Sequence, residues 1–129
     1  MKNVIIAPIG EHIDDLYVGV KEFPTERVIL ISDKERMGAA IKTKSELEKF
    51  KIPAQIKELP GDSHSWEETF EAIGEIRKQE KEGNLLINVS TGDRDTRCAA
   101  TAAAFVNGIK AFSVDNNEVM LLPVLKFSY

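Results

Sequence analysis

Leu85-Leu86-Ile87-Asn88-Val89-Ser90-Thr91-Gly92-Asp93-Arg94 is the stretch on which the fold turns. Leu85 to Val89 is a short, mostly apolar run, as in a strand buried on both faces of a parallel sheet. The next five residues put two hydroxyls, a glycine, a carboxylate and an arginine where a helix has to begin. An alanine-rich stretch from Cys98 to Val106 then reaches the stop signal Asn107-Gly108. Strand, polar turn and helix in this order form the repeating unit of an α/β fold.

The same unit recurs upstream. Val4 to Ile9 is an apolar run closed by Pro8 and Gly10, and Ile13, Leu16, Tyr17 and Val20 follow at helical spacing until Pro24. Val28 to Ile31 gives a second strand, and Met37, Ala40, Ile41, Leu47 and Phe50 trace a second helical stripe ending before Pro53. Ala54, Ile56 and Leu59 alternate imperfectly with polar residues, so the third strand reads as half exposed, at a sheet edge. Ser65-Trp66-Glu67-Glu68 has capping-box spacing, after which Trp66, Phe70, Ile73 and Ile76 are predicted to face inward, with Gly83 as the stop.

Downstream, Ala111 to Val114 and Val119 to Leu122 flank Asp115-Asn116-Asn117-Glu118, whose asparagines tolerate positive φ, so a terminal hairpin is predicted. With right-handed crossovers, the elements specify an α/β, Rossmann-like three-layer sandwich. Its mostly parallel six-stranded sheet has the order 3-2-1-4-5-6 and closes on a C-terminal β-hairpin. We read residues 1–129 as one domain, a length that suits a single core. The tail Val124-Leu125-Lys126-Phe127-Ser128-Tyr129 carries two aromatics and reads as a junction to a larger parent protein or a dimer contact.

Composition narrows the classes. With 43% hydrophobic and 29% charged residues the chain can build a core, and disorder is excluded. A net charge of −4 argues against coating nucleic acid or anionic membrane through a basic field, but not against a small anion held locally. Cys98, the single cysteine, can form neither an internal disulfide nor a thiolate zinc site, which fits a reducing cytoplasm. No run approaches the roughly 18 apolar residues of a membrane helix. His12, Asp14 and Asp15 sit where acids ordinarily meet a helix dipole, so no metal is expected, and no cofactor is expected either.

In an open α/β sheet, ligands bind beyond the carboxyl ends of the strands where the winding reverses, here between strands one and four. Two loops are therefore expected to face each other: Ile9-Gly10-Glu11-His12 and Ser90-Thr91-Gly92-Asp93-Arg94. The second favours an anion, because free amides and the helix dipole point at it, Gly92 allows close approach, and Arg94 offers a forked donor. Ser90, Thr91 and Asp93 equally suit plain helix capping, and both readings stand at this point.

Asn88-Val89-Ser90-Thr91-Gly92-Asp93-Arg94 resembles the signature of the CRISPR-associated Rossmann-fold (CARF) domain. There Asn or Asp is followed at the second position by Ser or Thr, and four residues later by Arg or Lys. The resemblance extends over the whole element order, and Ala99 to Ala104 is similar to the small-residue helix of archaeal members, nearest to the sensor domain of winged-helix regulators. It implies recognition of a cyclic oligoadenylate, tetra-adenylate favoured, by Ser90, Thr91, Gly92 and Arg94, with the Ile9 to His12 loop contacting nucleotide. It further implies a homodimer with the ligand pocket across its twofold axis, and a winged-helix or nuclease effector outside these residues.

Three other readings compete. A metal-independent ring nuclease would use in-line placement and Arg94, with His12 the only acid-base candidate by sequence. A dinucleotide enzyme would need more glycines than the single Gly10 of the first turn, although Asp33 lies at about the right interval; Asp33 suits better the cap of the helix beginning near Lys34. A ligand-free interaction module is the third.

Overall fold

The computed structural model describes residues 2–81 and 83–123. In chain order the elements are β1 (Asn3–Pro8), α1 (Asp15–Glu22), β2 (Thr25–Ser32), α2 (Met37–Lys49), β3 (Ala54–Glu58), α3 (Ser65–Gln79), β4 (Leu85–Asn88), α4 (Arg94–Asn107), β5 (Lys110–Asp115) and β6 (Glu118–Leu121). They form one six-stranded sheet of order β3-β2-β1-β4-β5-β6. Every pairing is parallel except β5 with β6, as the sequence predicts. The tail read as a junction, 124–129, lies outside the described residues.

Alternate side chains of the central strands feed two cores. Val4, Ile6, Ile29, Ile31, Leu85 and Ile87 pack with Ile73 and Ile76 of α3 and Ala100, Ala103 and Ala104 of α4. Ile5, Ala7, Val28, Leu30, Leu86 and Phe112 meet Leu16 of α1 and Ala40 and Leu47 of α2 on the other face. Burial on both faces explains why these strands read as unbroken apolar runs.

The hairpin closes through Asn116 and Asn117, at φ 50° and 63°, between the paired Asp115 and Glu118. Two central residues with positive φ make the turn whose twist matches that of its strands. Gly108, at φ 63°, ends α4 in the left-handed conformation, and its amide bonds back to Phe105.

Three side chains expected in the core are not there: Ile41, Phe50 and Trp66 are 57%, 73% and 49% exposed. The inward stripe of α2 runs through Ala40, Thr43 and Leu47, which leaves Ile41 one position off it. Phe50 lies beyond the end of α2, on the wall of a groove shared with Tyr17, Val20 and Ile52. Trp66 leans sideways on α4 near Cys98 and Ala102 rather than onto the sheet.

The capping box also takes a different form. Ser65 is already helical, and the carboxylate of Glu68 accepts from the amides of Gly61, Asp62 and Ser63 at 2.9, 2.8 and 3.0 Å. Burial would push this carboxyl up, but those amides outweigh it and hold Glu68 below the ordinary glutamate range. The loop before α3 is thereby fastened by a side chain one turn inside the helix.

Helix α1 crosses the sheet so closely that a Cβ on Gly19 would lie 2.5 Å from Cζ of Phe112, a ring with no exposed surface that also packs on Phe23 at a centroid distance of 5.0 Å. Alanine favours a helix over glycine by about 1 kcal/mol, but overpacking a filled core costs about 1–3 kcal/mol. Gly19→Ala is expected to lower the melting temperature despite its better helix propensity; an unchanged or higher value in thermal denaturation would show that Phe112 can yield.

Candidate functional site

Because β1 and β4 are adjacent, with Val4 to Ile6 in register with Leu85 to Ile87, the loops after them meet at the carboxyl edge of the sheet. They meet more tightly than the sequence suggests. The Thr91 hydroxyl, fully buried, donates to the Pro8 carbonyl at 2.6 Å, and the His12 amide donates to the Thr91 carbonyl at 3.2 Å. A Cβ on Gly10 would sit 2.5 Å from both the Asp93 nitrogen and the Gly92 carbonyl carbon. The opening expected between the loops is filled by backbone, and the two form one continuous rim.

The polar residues of 88–91 are structural ties. Asn88, with no exposed surface, accepts from the Ser90 amide at 3.0 Å and donates to the Asp15 carbonyl at 3.2 Å, so it pins the start of α1 to the end of β4. The Ser90 hydroxyl accepts from the Val114 amide at 2.7 Å and extends the hold to β5. A buried side-chain amide left unpaired would cost about 1–3 kcal/mol, which accounts for an Asn at 88 only where both partners are present. Ile9 is buried and continues the β1 ladder by donating to Ile31, whereas Glu11 and His12 are exposed on the rim. Burial pushes the Asp15 carboxyl up, a shift that His12 partly offsets and Asp14 and Asp115 reinforce.

Asp93 caps α4: its carboxylate accepts from the Thr96 amide at 3.1 Å and the Thr96 hydroxyl at 2.9 Å. Gly92 is required there, since a Cβ would lie 2.1 Å from Oγ1 of Thr96. The same carboxylate receives Nη1 of Arg36 at 2.7 Å, and that nitrogen also reaches the Ile9 carbonyl at 3.5 Å. Burial would push the Asp93 carboxyl up, but Arg36 and Thr96 hold it lower, while the bond to Asp93 holds Arg36 above its ordinary value. The pair is ionised at every physiological pH.

Arg94 is exposed and makes no hydrogen bond or ion pair among the described residues. With Arg97, Cys98, Thr101, Ala102 and Phe105 it lines an open depression of about 520 Å³ along α4. Nothing among the described residues groups three or more His, Cys, Asp or Glu side chains where they could hold a metal ion. No described helix is long and apolar enough to cross a membrane.

The nine predicted site residues therefore do converge, in two layers. Ile9, Ser90, Thr91, Gly92 and Asp93 build the rim from within, and Gly10, Glu11, His12 and Arg94 are its accessible part. Arg36 was not predicted. Its signal was topological: in the order 3-2-1-4 the loop after β2 ends beside the loop after β1, and Asp33, read as a helix cap, holds the Arg36 amide at 2.9 Å.

The fold defines a doubly wound α/β domain, and the rim described above lies at the point where its winding direction reverses. The chain belongs to the family described as HFX_2341_N:-like, N-terminal, which it matches over residues 3–119. No curated protein matches it. Among solved structures, Can2 from Sulfobacillus thermosulfidooxidans in complex with cyclic tetra-adenylate superposes with a TM-score of 0.75 at 19% identity, over 92% of this chain and 36% of that one. Protein VC1899 from Vibrio cholerae gives 0.78 at 17%, over 92% and 33%. A type III CRISPR defence DNA nuclease activated by cyclic oligoadenylate gives 0.77 at 14%, over 94% and 20%. At these identities the fold is what is shared, and the chain spans about a third or less of each neighbour's length.

Gly10→Ala is expected to force its methyl group against backbone that has no free rotation, at about 1–3 kcal/mol. The melting temperature should fall, and amide exchange of Thr91 to Asp93 should quicken, because the contact parted is with their backbone. Exchange rates unchanged in that loop would show that the two loops are not mechanically joined.

Proposed function

We propose that this chain is a CARF-like sensor domain that binds a cyclic oligoadenylate, tetra-adenylate favoured, on the rim formed by Ile9 to His12 and Ser90 to Arg94. The observation that carries the reading is Arg94: a guanidinium in the first turn of α4, exposed and without a partner among the described residues, beside the amides of Arg94 and Asp95, which the helix leaves without intrahelical acceptors. Donors of this kind at a helix N-terminus match phosphate oxygens. Can2, bound to cyclic tetra-adenylate, and the nuclease activated by cyclic oligoadenylate share the fold.

One copy offers half a site. The two loops are in backbone contact, so a ring-shaped ligand has to lie across the rim, and a second copy related by a twofold axis would complete the enclosure. Arg94, Cys98, Ala102 and Phe105 follow one another along one side of α4, and Trp66 stands next to them. This half-apolar stripe beside the rim suits a homodimer. The single domain, residues 1–129, would act in the cytoplasm as the sensor of a transcriptional regulator of the archaeal winged-helix type, or of a nuclease effector, with the effector outside these residues.

Cyclic tetra-adenylate at a hundredfold excess over its Kd should stabilise the chain by about 2.7 kcal/mol, read as a rise in melting temperature. Arg94→Ala should weaken binding by about tenfold to a hundredfold, the scale of a hydrogen bond to a charged group, and leave the unliganded melting temperature almost unchanged. Cleavage of the ligand would make the chain a ring nuclease. Absence of any response to cyclic tetra-adenylate and cyclic hexa-adenylate would remove the cyclic oligoadenylate reading.

A further inference from the structure

Arg36 is placed by β2, a strand that contributes no residue to the signature, yet its guanidinium reaches across to the start of α4. Nη1 alone is engaged, by Asp93 at 2.7 Å and the Ile9 carbonyl at 3.5 Å. Nε and Nη2 have no acceptor among the described residues, and a third of the side chain's surface stays open to solvent. A guanidinium carries five donors in a rigid fork, so most of this one's capacity is unspent at the rim.

The chain also puts its own anion where an anionic ligand is expected. The Asp93 carboxylate occupies the N-terminus of α4, holding the Thr96 amide and Arg36 together. Any phosphate approaching that end of the helix meets this carboxylate before it meets the dipole.

We propose that Arg36 is a second phosphate-binding arginine of the site, and that Asp93 competes with the ligand for it. The inference rests on the anionic ligand of the preceding section. In the unliganded chain Asp93 and Arg36 neutralise each other and lace the loops after β1, β2 and β4 together. When ligand binds, phosphate oxygens take the free Nε and Nη2 donors and share or displace the carboxylate at Nη1. Asp93 keeps its bonds to Thr96, so α4 stays capped. Glu11 and Asp33 also lie near Arg36, and their charge opposes an incoming anion alongside that of Asp93.

Substitutions at the two positions separate this role from a structural one. Asp93→Asn keeps a good capping residue and removes the competing charge; it should tighten binding of cyclic tetra-adenylate by about threefold, the scale of a part-exposed ion pair. Arg36→Gln should weaken it by about tenfold in the native chain and by about thirtyfold in the Asp93→Asn background, the product of that loss and the threefold gain that Asp93→Asn gives only when Arg36 is present. In the Arg36→Gln background, Asp93→Asn should give no comparable gain.

Isothermal titration of the four chains, with melting temperatures as a check on folding, reads all four effects. Equal tightening by Asp93→Asn with and without Arg36 would make Asp93 a bulk charge and overturn the proposal, as would a double variant that binds like Asp93→Asn alone. Inorganic pyrophosphate is the second probe. Arg36-dependent binding of pyrophosphate without binding of cyclic tetra-adenylate would uphold Arg36 and overturn the ligand's identity, whereas no dependence on Arg36 for either probe overturns the inference.

Discussion

Everything at the carboxyl edge depends on one backbone contact, that of Gly10 with Gly92 and Asp93. Two parallel strands are about 4.7–4.9 Å apart as neighbours in a sheet, and their loops come together here because Gly10, which has no side chain, meets the backbone of Gly92 and Asp93. That contact fixes Thr91 against Pro8, and the Thr91 carbonyl against the His12 amide. The start of α4, with its cap and its arginines, is therefore held by strands buried on both faces rather than by a surface loop. A binding site on such a support is preorganised, because its geometry was set when the core packed.

Charge is arranged with the same economy. Arg36 and Asp93 cancel each other at the rim, and the remaining fixed positive charge at the edge falls to Arg94 and Arg97 on the open side of α4. A chain with net charge −4 thus keeps a local cationic surface without a basic field that would draw in nucleic acid at large. Surface ion pairs contribute little to folding, about 0–1 kcal/mol, so the Arg36–Asp93 pair adds little to stability.

Much of this was legible in the residues. Strands buried on both faces leave continuous apolar runs, and Val4 to Ile9, Val28 to Ile31 and Leu85 to Val89 announced the sheet; Asn116-Asn117 announced the hairpin. Positions decided by a neighbouring helix were not legible. Trp66 has core-like spacing on its own helix but rests against α4, and Glu68 has capping-box spacing but serves the loop ahead of it. The site divides in the same way. Its loops follow from strand order, whereas the engagement of the Ser90 and Thr91 hydroxyls, and the reach of Arg36 over the rim, depend on packing distances that no spacing encodes.

Asn88 has one more consequence, for the order of events during synthesis. Its amide is satisfied by Asp15, made early, and by Ser90, whose own hydroxyl is held by Val114, made late. The central strand β1 likewise waits for β4 before its second edge is covered. A nascent chain that ends after β3 therefore still lacks the strand that covers the second edge of β1, and the sheet is completed only when β4 has been made.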